Sequence, residues 1–125
     1  MKLKYFNAEE IVKNVKCAIH KTGKLGFSSA AIDKLGLTSN KSVIIAMNEE
    51  NPEDQNLYVI IMDTITPQAF PLTKGGDYYY INTKEIFDSL GIDYRNKRII
   101  YDIVDFTLGD QKMYKLIKRE VKNKK

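Results

Sequence analysis

Side chains that carry chemistry are scarce in this chain. Cys17 is its one cysteine and His20 its one histidine. A single cysteine excludes an internal disulfide framework and fits a reducing compartment, so a cytoplasmic location is expected. Cys17 and His20 stand three apart, which on a strand puts them on opposite faces and excludes a Cys-His nucleophile pair. No glycine-rich phosphate loop and no serine elbow is present. A metal would have to rest on carboxylates, and Glu49, Glu50, Glu53 and Asp54 lack the spacing and the glycine of a calcium loop. The expectation is therefore a protein with no catalytic residue, no cofactor and no metal, and not an enzyme. Long apolar runs are missing too: Tyr58–Met62 is far too short to span a bilayer. MKLKYFNAEE at the start has neither an apolar core nor a cleavage site, so neither membrane nor secretory signal is expected.

What is present suits one globular domain. Hydrophobic residues make up 43% and charged residues 29% of 125 residues, enough to bury a real core. The net charge of +4 is unevenly spread. Residues 112–125 hold Lys112, Lys115, Lys118, Arg119, Lys122, Lys124 and Lys125 against Glu120 alone, while the rest of the chain is slightly acidic. A basic segment of this kind can bind phosphates, although charge runs often serve only solubility.

Local signals give the elements. Asn7 and Glu10 form a capping-box pattern, which predicts a short helix over Ala8–Asn14. Val15 to His20 alternates with period two, so Val15, Cys17 and Ile19 should face inward. Thr22-Gly23 reads as a hairpin turn and Lys24–Phe27 as the returning strand. Ser28 or Ser29 should cap a helix over Ala30–Leu35 that buries Ala31 and Leu35 and ends at a left-handed Gly36, with Leu37 behind it. Strands follow at Ser42–Met47 and Leu57–Met62, joined by the acidic loop NEENPEDQN. Beyond a connector at Asp63–Gln68, strands are expected at Ala69–Lys74 and Asp77–Asn82. Asn82 or Thr83 should then cap a helix over Lys84–Leu90 with Ile86, Phe87 and Leu90 inward, stopped by Gly91. A final hairpin pairs Arg98–Phe106 with Lys112–Lys118. In Tyr78-Tyr79-Tyr80 the middle ring faces away from its neighbours; stacking on bases is one reading and cross-strand packing the more ordinary one.

The two halves match. Asp33 to Gly36 falls on Asp88 to Gly91 at an offset of 55. At an offset of 56, Asn40, Lys41 and Ile44 fall on Asn96, Lys97 and Ile100, and Asp54-Gln55 and Tyr58 on Asp110-Gln111 and Tyr114. The expected fold is α+β, mostly β: two β-β-α-β-β repeats that form a small pseudo-two-fold barrel or sandwich with short helices. Within one domain over 1–125, residues 1–14 are a helical extension, 15–62 and 69–118 the repeats, and 119–125 a basic tail.

Gly23-Lys24-Leu25-x-Phe27, then Leu35-Gly36-Leu37, then Val43-x-Ile45, resembles the swapped-hairpin transition-state regulators of the AbrB type. That resemblance implies a β-barrel of two interleaved units, here fused in one chain, and DNA as the partner. Such a chain would be a monomeric pseudo-dimer or a homodimer. The chain departs from the pattern in having Ser28 where the family has proline. The family's helix arginine falls at Ile32 or Asp33, and the second helix offers Glu85, Asp88 and only Lys84. The residues left to meet nucleic acid are Lys16, Lys21, Lys24 and Lys74 near the turns, with Lys118 and Arg119 from the basic C-terminus. The expected function is a small nucleic-acid-binding regulatory protein. The alternative is a protein-interaction or accessory module of a phage or mobile element that binds no nucleic acid.

Overall fold

The computed structural model describes residues 1–6, 8 and 14–121. The expected N-terminal helix, its Asn7 cap, and Lys122, Lys124 and Lys125 of the basic tail lie outside those residues, Ala8 and Asn14 apart.

The structure is mostly β, with two short helices and a sheet that nearly closes on itself. In chain order the elements are β1 (Lys16–Ile19), β2 (Leu25–Phe27), α1 (Ser29–Leu35), β3 (Ser42–Met47), β4 (Leu57–Met62), β5 (Phe70–Pro71), β6 (Thr73–Gly75), β7 (Tyr78–Ile81), α2 (Lys84–Ser89), β8 (Arg98–Leu108) and β9 (Gln111–Val121). The sheet order is β5-β3-β4-β9-β8-β1-β2-β7-β6, and every pairing is antiparallel. Its edge strands, β5 and β6, are separated in the chain only by Leu72. One meets β3 and the other meets β7, so the two ends of the sheet come together and little backbone edge is left open.

Period-two alternation sets the core. Cys17 and Ile19 in β1, Leu25 and Phe27 in β2, Val59 in β4, Ile81 in β7, Tyr101 and Ile103 in β8 and Leu116 in β9 all point inward and are buried. Phe87 of α2 stacks on Tyr101 at 6.4 Å between ring centroids, which caps this core with a helix. The first helix follows its local signals. Ser28 accepts from the Ala31 amide at 3.2 Å, Gly36 ends the helix at φ 63°, and Leu37 is buried behind it.

The second helix departs from expectation twice. Leu90 is exposed rather than inward, because the helix ends at Ser89 and the chain turns away at Gly91. Thr83 sits at the cap position but makes no cap bond. Its hydroxyl instead donates to the Gly23 carbonyl at 2.9 Å, fully buried, and ties α2 to the β1–β2 turn. Gly23 is needed there on two counts. Its φ is +87°, and a Cβ would lie 2.7 Å from the Lys84 side chain.

The last hairpin is longer than the sequence suggested: β8 and β9 pair from Arg98↔Val121 to Leu108↔Gln111 around Gly109-Asp110. The two hairpins do not keep the register of the internal match. Ser42 faces Met62, whereas its counterpart Arg98 faces Val121, so β3 and β8 sit at an offset of 56 but β4 and β9 at 59. An odd shift of three reverses the face. Tyr58 accordingly lies against Phe106 at 5.1 Å, while Tyr114 packs onto the core.

Candidate nucleic-acid interface

Positive charge gathers where the β1–β2 turn meets the start of β8. After α2 the chain reads Tyr94-Arg95-Asn96-Lys97-Arg98, three basic residues in five. Turn bonds fold this segment back, with the Tyr94 amide donating to Ile92 and the Lys97 amide to Asp93. The result is a hollow of about 150 Å³ lined by Lys21, Arg95, Lys97 and Arg98 over Ile19 and Tyr94. Arg95 lies over the Tyr94 ring at 4.9 Å. The neighbouring acid is already committed. Asp88 receives the Lys84 ammonium at 2.6 Å and the Tyr94 hydroxyl, and both hold its carboxyl below the ordinary value. Lys97 keeps Glu120 at 3.9 Å, whereas Lys21, Arg95 and Arg98 have no carboxylate within salt-bridge distance among the described residues.

Arg98 also borders a second depression, of about 230 Å³, on the outer face of β8, β1, β2 and β7. Its floor is nearly bare backbone, since Ala18 pairs with Gly26. A Cβ on Gly26 would come within 2.4 Å of His20 Nε2, so the imidazole rests directly on the strand. Around it stand Lys16, Ser28, Tyr78 and Ile100. Tyr78 and Tyr80 lie 6.0 Å apart, His20 is 5.9 Å from Tyr78, and Lys24 sits over Tyr80 at 4.4 Å. Tyr79 faces the other way, as expected, and packs on the core.

The six lysines and arginines expected from sequence therefore divide. Lys16, Lys21 and Lys24 share this side with Arg95, Lys97 and Arg98. Lys74 pairs with Tyr79, on the face opposite Tyr80, and is set apart. Lys118 has little side-chain exposure (12%) and is held by Gln55 at 3.0 Å and Glu120 at 3.7 Å. Arg119 grips Asp102 with two bonds, at 2.9 and 3.1 Å, which neutralises both charges. Sequence reasoning passed over Arg95 and Arg98 as site residues. Their signal was the density of the RNKR run, hidden because Lys97 drew notice only as a partner of Lys41.

Cys17 is buried, and burial pushes its thiol well above the ordinary value, which leaves it protonated and inert. Among the described residues no group of three His, Cys, Asp or Glu side chains is placed to hold a metal, and no helix is long and apolar enough to cross a membrane. No family model, no curated protein and no solved structure matches this chain.

Proposed function

We propose that the chain is a small nucleic-acid-binding protein, its barrel built from two β-β-α-β-β units fused in the swapped-hairpin manner. The observation that carries the binding reading is the hollow formed by Lys21, Arg95, Lys97 and Arg98, continuous through Arg98 with Lys16, His20 and Tyr78. The guanidinium groups of Arg95 and Arg98 and the ammonium of Lys21, with no carboxylate in salt-bridge reach among the described residues, suit backbone phosphates, and binding of that kind releases counterions. The swapped arrangement is supported by pairings between halves: β1 with β8, β2 with β7, β4 with β9 and β3 with β5. A gel-shift titration against duplex and single-stranded oligonucleotides at rising salt tests the function. Retention should fall steeply with salt, and the double variant Lys21→Glu, Arg98→Glu should lose it. Salt-independent retention, or none at low salt, would refute the reading.

A second reading rests on a different surface. Met47, Tyr58, Phe106, Leu108 and Met113 line a cleft of about 400 Å³ beside Glu49 and Glu50, with Leu108 66% exposed. An apolar cleft with an acidic rim suits a protein partner. Co-purification of a protein without nucleic acid, lost on Leu108→Glu, would select it.

A further inference from the structure

The tyrosine pair on the outer face carries the reading further. We propose that the outer face of β1, β2 and β7 is a stacking platform for single-stranded nucleic acid, on which Tyr78 and His20 receive a base while Arg98 and Lys16 take the flanking phosphates; this rests on the nucleic-acid reading above.

Aromatic rings on an outward strand face normally close against one another or against a partner. Here they touch at 5.9 and 6.0 Å but do not stack face to face. The His20 and Tyr78 planes are inclined by 34°, and those of Tyr78 and Tyr80 by 42°, so neither pair stacks in parallel. Lys24 already occupies the Tyr80 ring. Tyr78 remains 42% exposed. Gly75 of β6 supports the tyrosines from beneath: a Cβ there would come within 3.0 Å of the Tyr80 ring and 3.2 Å of Tyr78. Glycine on both sides, at 26 and 75, lets flat rings lie against backbone. The adjoining depression of about 230 Å³ is open on one side, a space suited to one flat heterocycle.

Charge agrees with this placement. Arg98 stands between the depression and the cationic hollow, so a strand leaving the platform meets Arg95 and Lys21 next. The carboxylates nearby are Asp102, held by Arg119, Glu120, shared by Lys97 and Lys118, and Asp77, exposed in the β6–β7 turn. A duplex keeps its base faces inside the stack, whereas a single strand presents them, and every base has a ring face to offer.

Fluorescence anisotropy with a labelled oligothymidine single strand and a duplex of equal length tests the platform. The wild-type chain should prefer the single strand. Tyr78→Ala should weaken single-strand binding about tenfold, leaving duplex binding and the salt slope unchanged. Tyr78→Phe should retain affinity, because stacking needs the ring and not the hydroxyl, and His20→Ala should show a smaller loss. Arg98→Ala should instead weaken both ligands and lower the salt slope by about one. Duplex preference, or a Tyr78→Ala variant that keeps full single-strand affinity, would overturn the platform and leave nucleic-acid binding standing. Failure of the wild type to bind either ligand at low salt would overturn both.

Discussion

The two halves of the chain reach similar elements by different local means. In the first, Ser28 serves its own helix: it accepts from the Lys16 and Ala31 amides and donates to the Asn14 carbonyl at 2.6 Å. In the second, Thr83 spends its hydroxyl on Gly23, sixty residues away, and leaves α2 without a side-chain cap. The hairpins differ in their turns. β3 and β4 are joined by a loop over residues 48–56, organised by Asp54, which takes the Tyr58 hydroxyl at 2.7 Å and the Asn56 amide at 3.0 Å. β8 and β9 turn on Gly109-Asp110 and run longer. At the helix starts, the first half relies on a local bond and the second on its attachment to the first. That asymmetry places the cationic RNKR segment beside the turn of the other half, where Lys21 waits.

The junction between halves should be the most sensitive point. Gly23→Ala combines a left-handed backbone cost of roughly 1–2 kcal/mol with a clash against Lys84, and should destabilise by about 3 kcal/mol in chemical denaturation. Thr83→Val keeps the shape but leaves the buried Gly23 carbonyl unpaired, for a loss of about 2 kcal/mol. Ser28→Ala, confined to one half, should cost about 1 kcal/mol. If Ser28→Ala proves more damaging than Thr83→Val, the contrast between local and long-range support is wrong.

Acid distinguishes the halves less sharply. Asp54, through Tyr58 and the Asn56 amide, and Asp88, through Lys84 and Tyr94, both have folded pKa values below the ordinary one. A depressed carboxyl contributes stability that is present above the unfolded value, about 3.9, and lost as pH falls through the folded one. The melting temperature should therefore drop below about pH 4, and Asp54→Asn and Asp88→Asn should each flatten that drop. The smallest effect belongs to Leu90→Ala. Because Leu90 is exposed, the change should stay within about 0.5 kcal/mol, and a larger loss would return it to the core.

Much of the fold was legible because its signals are local. Alternation in Val15–His20 marked Cys17 and Ile19 as buried, and Ser28 with Gly36 bounded α1 to within a residue. Leu90 misled because helical spacing says which residues share a face but not where the helix stops relative to its neighbours. Thr83 misled because a hydroxyl at a cap position has two possible acceptors, and only packing chooses. The candidate interface was half legible. Lys16, Lys21 and Lys24 were visible as turn lysines, but their convergence with Arg95 and Arg98 depends on β1 pairing with β8, some eighty residues apart in sequence.

The sequence by itself determined most of the elements, most of the inward set of side chains and the scarcity of cysteine and histidine, since these follow from spacing and residue type. Tertiary structure alone decided which strands became neighbours, that β9 meets β8 three residues out of step with the way β4 meets β3, and which cations were spent. Lys118 and Arg119 looked as free in sequence as Arg98. Gln55, from beside β4, and Asp102, from β8, are brought within reach across the sheet; they hold the first two and leave the third open. Charge is written in the chain, but its pairing depends on distance, and distance exists only once the barrel has formed.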